Sequence, residues 1–284
     1  MAGIISNGEL ISSPAPGRQR YGLFSVAPPL DDLDTRGIGS GFQFAAEDCG
    51  LVRAYDANCA THPVKTFDEG LAYMEAVPYW VYATRKCGTV GTSATEVAAS
   101  VRRRLAAGEQ HAVESQFWGG TAVASDPNLI GTPGVVTVVP SGDGAGAAIA
   151  ALEDAFYDDY GYTGVIHVSM RAYAALAYAQ VTESQGGRLI TPMGSSLAFG
   201  AGYGIAGPGG IAPEAGSVWA FMTPPVTIRR SAVIQPDVTA TMDRLHNQWL
   251  ALAERVYAHT WACPVVYAVQ VPVAAPAVVT LAAP

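Results

Sequence analysis

Residues 93 to 120, SATEVAASVRRRLAAGEQHAVESQFWGG, carry the strongest helix pattern in the chain and constrain what the rest can fold into. Ser93 and Glu96 have the spacing of a capping box, in which the hydroxyl accepts a first-turn N–H and the carboxylate reaches back to the cap. Val97, Val101, Leu105, Ala112, Val113 and Phe117 recur at helical spacing and predict an inward flank, while Arg102, Arg103, Glu109 and Glu114 fill a flank expected to face water. A helix over 93–118, stopped by Gly119 and Gly120, would run about 37 Å at ~1.5 Å per residue, long against a mean helix of roughly a dozen residues. Something extended must lie alongside it.

Half of the 284 residues are hydrophobic and 14% are charged, against about 25% charged in typical soluble domains. Much of the surface is therefore expected to be covered by protein, which points to assembly. A net charge of −8 with only two lysines, Lys65 and Lys86, argues against a nucleic-acid grip, because neutralising phosphates takes clustered cations. The one basic run, Arg102 to Arg104, reads as a solvated helix face. Cys49, Cys59, Cys87 and Cys263 lack ligand spacing with each other or with a histidine, so free buried thiols are expected and a zinc site is not. No basic segment followed by an apolar run opens the chain, which suggests a cytosolic product. From Ala262 to Pro284 the only strongly polar side chain is Gln270, yet Pro264, Pro272, Pro276 and the β-branched run VVYAVQVPV favour a strand and packed tail over a membrane anchor.

Along the chain, residues 1 to 40 are rich in proline and glycine without a sustained period, which predicts an extended arm that needs a neighbour to order it. Residues 50 to 82 read as a long hairpin or loop whose last strand, around YWVYA at Tyr79 to Ala83, feeds the helix. After the helix come a strand at Gly131 to Pro140, a helix over Gly146 to Tyr160, and a buried strand at Gly164 to Val168. A further helix is expected to start at Ser169 as N-cap and to carry Tyr173, Leu176 and Ala177 inward. Arg188 to Thr191, Ser196 to Gly200, Ser217 to Met222 and Val226 to Arg229 are predicted strands, with a glycine- and proline-rich loop over Gly200 to Gly216. The segment from Asn247 predicts a strand pair turning at Ala262 to Pro264.

No constellation of residues makes a persuasive active site. Gly202, Gly204 and Gly207 fit G-x-G-x-x-G after a strand, but a dinucleotide site needs a helix starting within the motif, and here Pro208, Gly209 and Gly210 follow. His167 ends a buried strand beside Ser169 without a nucleophile-elbow pattern, so a satisfied core histidine is expected. Asp154, Asp158 and Asp159 read as a wet helix face.

Three segments, taken in order, resemble the major capsid proteins of tailed phages, the HK97-like fold, and their relatives the encapsulins. PYWVYATRKCG leading into RRRLAAGEQHAVESQFWGG is similar to that family's strand entry into its spine helix. GYTGVIHVSMRAYAAL is similar to a strand and helix of the axial domain, and GSVWAFMTPPVTIRRS with LALAERVYAHTWACPVVYAVQV to the closing strands. The resemblance implies an α+β chain with an N-terminal arm (1–41), an extended loop region (42–82) and a peripheral domain (83–133 and 226–273) holding a spine helix at 93–118. An α/β axial domain (134–225) and a C-terminal tail (274–284) complete it. The implied function is a major capsid protein, with no enzymatic activity and no cofactor, which self-associates as hexamers and pentamers into the icosahedral shell of a virion assembled in the host cytoplasm. A vertex-only subunit and an encapsulin-like compartment are variants, and a soluble α/β enzyme using the Gly202 loop is the rival from another class. Implied partners are copies of itself, separate scaffold, portal and decoration proteins, and packaged DNA held non-specifically, with no membrane. Some members of the family weld their shells by an isopeptide bond between neighbouring subunits, which here would join Lys65 of the extended loop to Asn247 of a neighbour with Glu254 as the assisting acid.

Overall fold

The computed structural model describes residues 17, 19–46, 49, 52, 54 and 72–273. A single turn, α1 (Leu23–Val26), and a 3-10 stretch at Thr35–Ser40 lead to strand β1 (Phe42–Ala46). β2 (Ala72–Ala76) pairs antiparallel with β1, from Phe42 opposite Ala76 to Ala46 opposite Ala72, so the two strands are the roots of the excursion between them. β3 (Tyr79–Gly88) follows at once and delivers the chain to α2 (Ala94–Gly119).

α2 forms as its sequence dictates. The Glu96 N–H donates to Ser93 Oγ at 3.2 Å and the Ser93 N–H to Glu96 Oε2 at 2.8 Å, which satisfies two N-terminal donors reciprocally. At the other end Gly120 takes φ +63° and its N–H donates to Gln116 O, a left-handed cap that a side chain would strain. Val97, Val101, Leu105, Val113 and Phe117 are buried as their spacing predicts.

The chain continues through β4 (Val136–Thr137), α3 (Ala145–Tyr160), β5 (Val165–Ser169), α4 (Tyr173–Tyr178), β6 (Glu183–Gln185), β7 (Arg188–Ile190), β8 (Ser196–Gly200), β9 (Ser217–Thr223), β10 (Val226–Arg230), β11 (Gln248–Trp261) and β12 (Tyr267–Pro272). Strands β10, β11 and β3 form an antiparallel three-stranded sheet in that order. A mixed seven-stranded sheet runs β4-β12-β9-β5-β8-β7-β6, parallel at β12–β4 and β5–β8. Ile149, Leu152 and Phe156 of α3 and Leu176 of α4 pack on one face of the larger sheet. Phe117 and Trp118, at the end of α2, meet Phe221 and Tyr203 in the other core, so α2 links both sheets.

Several expectations are corrected. The predicted terminal strand pair does not pair with itself: β11 hydrogen-bonds to β10 and β3, and β12 to β9 and β4, because local strand propensity carries no information about partners. Ser169 ends β5 with no side-chain cap, a 3-10 turn at Met170–Ala172 follows, and Ala172 and Leu176 are the buried residues while Tyr173 is exposed. Of Gly131 to Pro140 only Val136 and Thr137 are strand, at the sheet edge, where Val136 and Val139 stay exposed. Asp159 lies on the wet flank but accepts a hydrogen bond from the Tyr267 hydroxyl.

The largest correction concerns the arm and the wet flank of α2. Glu109 and Glu114 are buried. Glu114 accepts from the Leu23 N–H at 2.9 Å through one oxygen and from the Gly202 N–H at 3.0 Å through the other. Glu109 accepts from the Tyr257 hydroxyl at 2.8 Å and pairs with Arg230 at 3.2 Å. The described arm is therefore ordered by its own chain. Leu23 is fully buried, Leu30 exchanges backbone bonds with Ile228 and Arg230, and Asp31 pairs with Arg230 at 2.7 Å. Two carboxylates that look solvated in sequence hold down the segments covering them, since a buried charge persists only when hydrogen-bonded or paired.

Candidate assembly surface and the junction beneath it

Alternation along β3 divides the three-stranded sheet into two faces. Tyr79, Val81 and Ala83 turn toward α2, and Trp80, Tyr82 and Thr84 turn away. On the same outward face β11 presents Val256, Glu254, Leu252 and Leu250 opposite Trp80, Tyr82, Thr84 and Lys86. Leu33, Ile38, Phe42 and Phe44 cover Val256 and Ala258. Beyond that cover Trp80 is 44% exposed, Tyr82 66% and Leu250 38%. β3 is also the edge of its sheet, ten residues long, and no described strand pairs along its outer side. An edge of this length flanked by exposed aromatics is a template for another chain.

A buried polar junction fixes where β2 turns into β3. The Val77 N–H donates to Asp126 Oδ1 at 2.8 Å, and Gln116 Nε2 lies 3.4 Å from Oδ2. Gln116 Oε1 accepts from the Ala122 and Val123 N–H groups at 2.6 and 3.0 Å, so the last turn of α2 organises the loop that carries Asp126. His259 of β11 donates from Nε2 to Pro127 O at 2.8 Å. That bond assigns its lone pair to Nδ1, which the Tyr79 hydroxyl reaches at 3.1 Å and Asp126 Oδ2 approaches to 3.5 Å. Burial holds His259 neutral, lowered to about 4, and raises Asp126 to about 7 against the opposing pull of the Val77 and Gln116 donors. Burial also pushes the Tyr79 hydroxyl up.

Asp126 titrates higher folded than unfolded, so its contribution is fully present below the unfolded carboxylate range near 4 and is lost as pH rises through 7. His259 works oppositely, costing stability as pH falls from 6.5 toward 4. Asp126→Asn keeps an acceptor for Val77 and removes only the first dependence. Relative to the unaltered chain its melting temperature is expected to gain several degrees between pH 5 and pH 8, equivalent to about 2–4 kcal/mol. A difference independent of pH would show that Asp126 is ionised throughout.

The residues singled out in sequence fall as follows. Lys65 lies outside the described residues. Asn247 sits in an exposed turn with φ +51°, and Glu254 is on β11. At ~3.3 Å per strand residue these two are about 23 Å apart within one chain. His167 is fully buried between the Tyr203 hydroxyl at 3.0 Å and Thr223 Oγ1 at 2.9 Å, and burial lowers it to about 3. Gly202 and Gly207 admit close approach: a Cβ would meet His111 O at 2.3 Å in one case and the Trp219 ring at 2.3 Å in the other. The glycine motif thus packs a loop onto α2 and β9, with only a 3-10 turn at Pro208–Gly210 where a nucleotide site needs a helix. Cys49 and Cys263 are not free thiols but a disulfide, with Cα atoms 5.5 Å apart, and Cys87 is free. No described helix is long and apolar enough to cross a membrane. The Asp126 junction gave no sequence signal, because its members are isolated residues far apart in the chain.

The sequence matches no family model and no curated protein. The structure matches chains from solved particles over nearly its whole length. One from Mycobacterium phage Ogopogo is 14% identical, with a TM-score of 0.56 over 93% of this chain and 96% of that one. One from the capsid of the empty GTA particle is 13% identical, at 0.55 over 95% and 96%. One from the Phage G gp27 major capsid proteins and gp26 decoration proteins is 12% identical, at 0.51 over 95% and 99%. The chain has the HK97-like capsid fold. At such low identity the likeness concerns the path of the chain, and it bears out the resemblance expected from sequence.

Proposed function

We propose that the chain is the major capsid protein of a tailed bacteriophage, assembling as hexamers and pentamers into the icosahedral shell of the virion. The observation that supports this best is a capsid fold over nearly the whole chain combined with a ten-residue sheet edge left open beside Trp80 and Tyr82. Obligate interfaces are large and apolar, and a chain with 14% charged residues has surface to give to them.

In this proposal residues 1–41 are the arm, 42–82 the extended loop region with its roots in β1 and β2, and α2 the spine helix of the peripheral domain. The seven-stranded sheet with α3 and α4 is the axial domain. β12 hydrogen-bonds within that sheet, so residues 267–272 are assigned to it and not to the peripheral domain. Separate scaffold, portal and decoration proteins are the proposed partners, and the acidic chain meets DNA non-specifically. The subunits are held by packing. A weld of Lys65 to Asn247 would need Glu254 to come from a different copy than Asn247.

Particles purified from nuclease-treated lysates of infected cells test both parts. They are expected to contain protected DNA and, boiled in detergent, to give one subunit band. Particles without DNA would favour a compartment, and a ladder abolished by Lys65→Ala and by Asn247→Asp would establish the weld.

A further inference from the structure

The disulfide lies at a mechanically particular place. Cys49 comes three residues after β1, at the start of the excursion that returns as β2. Cys263 occupies the turn between β11 and β12, where the chain passes from the three-stranded to the seven-stranded sheet. The bond spans 214 residues of sequence and ties one root of the excursion to the joint between the sheets. The other root is held by the reversible Val77–Asp126 bond. Cys49 is exposed, and Cys263 is fully buried within the core around Phe156 and Tyr267.

We propose that Cys49 and Cys263 are an oxidative modification site, a staple closed after the assembled subunit leaves a reducing compartment, which locks the root of the excursion to the shell wall. The timing rests on the capsid function proposed above. A shell built in a cytoplasm is built with thiols, because cytosolic reductants keep them so, and it meets oxidants on release. The oxidant class is a small disulfide. The exposed Cys49 thiolate attacks one sulfur of R–S–S–R and expels one R–S⁻. The Cys263 thiolate then attacks Cys49 Sγ in the mixed disulfide and expels the second. Two thiols lose two electrons and two protons, and the small disulfide becomes two thiols. The order follows exposure, since the buried sulfur reaches only what Cys49 presents to it.

Full-length chain is expressed in a reducing cytoplasm and lysed directly into denaturant with N-ethylmaleimide. A second portion is purified as particles, treated with oxidised glutathione, and only then denatured and labelled. The first sample is expected to carry label on all four cysteines. The second is expected to lose two labels, to yield a Cys49–Cys263 linked peptide, and to regain both labels after dithiothreitol. Oxidised particles are expected to dissociate at a temperature raised by about 5 °C or more, as closure of a long loop predicts, and Cys49→Ser particles to show no such rise. Retention of both labels after oxidation, or pairing of Cys263 with Cys59 or Cys87, would overturn the assignment. A pair already closed in the trapped lysate would overturn the timing. Electron microscopy of the same samples separates the two ideas: particles that never form the bond contradict the staple alone, and a bonded chain that forms no particles contradicts the shell alone.

Discussion

Leu105→Asp is expected to abolish cooperative folding. Leu105 is 3% exposed at the centre of α2, within the cluster that also holds Val101, Tyr257 and Ala253. A carboxylate there would find Glu109 one turn away, with Arg230 already engaged by Glu109 and Asp31, and Leu23 packed into the same core. Burying it uncompensated costs several kcal/mol, comparable to the ~5–15 kcal/mol that holds a domain together. Because α2 packs on residues of both sheets, its loss removes one wall of the core that they share with it. Circular dichroism should show no cooperative melt and the protein should be insoluble. A soluble variant with a sharp transition would mean that the core can rearrange around this position.

The second large effect concerns assembly and leaves the fold intact. Replacing residues 55–70 with a short glycine linker is expected to hold the melting temperature within roughly 3 °C while abolishing shell closure. The cut spares β1, β2, Cys49 and Val77, so the strand pairing, the disulfide and the Val77–Asp126 bond all remain. A deletion extended to residue 78 would instead remove Ala76, buried against Val256, and the Val77 donor to Asp126. Complete shells from the shorter chain would show that the excursion has no part in closure.

What could be read from sequence was local. The capping box at Ser93 and Glu96, the glycine stop after Trp118 and the inward stripe of α2 depend on residues a few positions apart, and all form as expected. The order of strands and helices was legible for the same reason, and that order carried the resemblance to capsid proteins. Pairing was not legible. β11 and β12 are consecutive strands in different sheets, and Cys49 finds a partner 214 residues away. Glu109 and Glu114 depart from the wet-flank pattern because helical periodicity separates apolar from polar residues and carries no information about what later covers the polar ones. Here that cover is the arm at Leu23 and the loop at Gly202. The junction of Asp126, His259 and Tyr79 was invisible because Tyr79 and His259 stand 180 residues apart, and neither has a motif around it.

The central claim is that this chain is made to close a shell with copies of itself, and the mass of the purified protein tests it most directly. Size-exclusion chromatography with light scattering, followed by negative-stain microscopy of the peaks, is expected to show capsomer rings or closed particles, shifting with salt and concentration. A monodisperse monomer at every salt and concentration, with its β3 edge amides slow to exchange, would contradict it, because an edge so protected in a lone chain is not being kept for a neighbour.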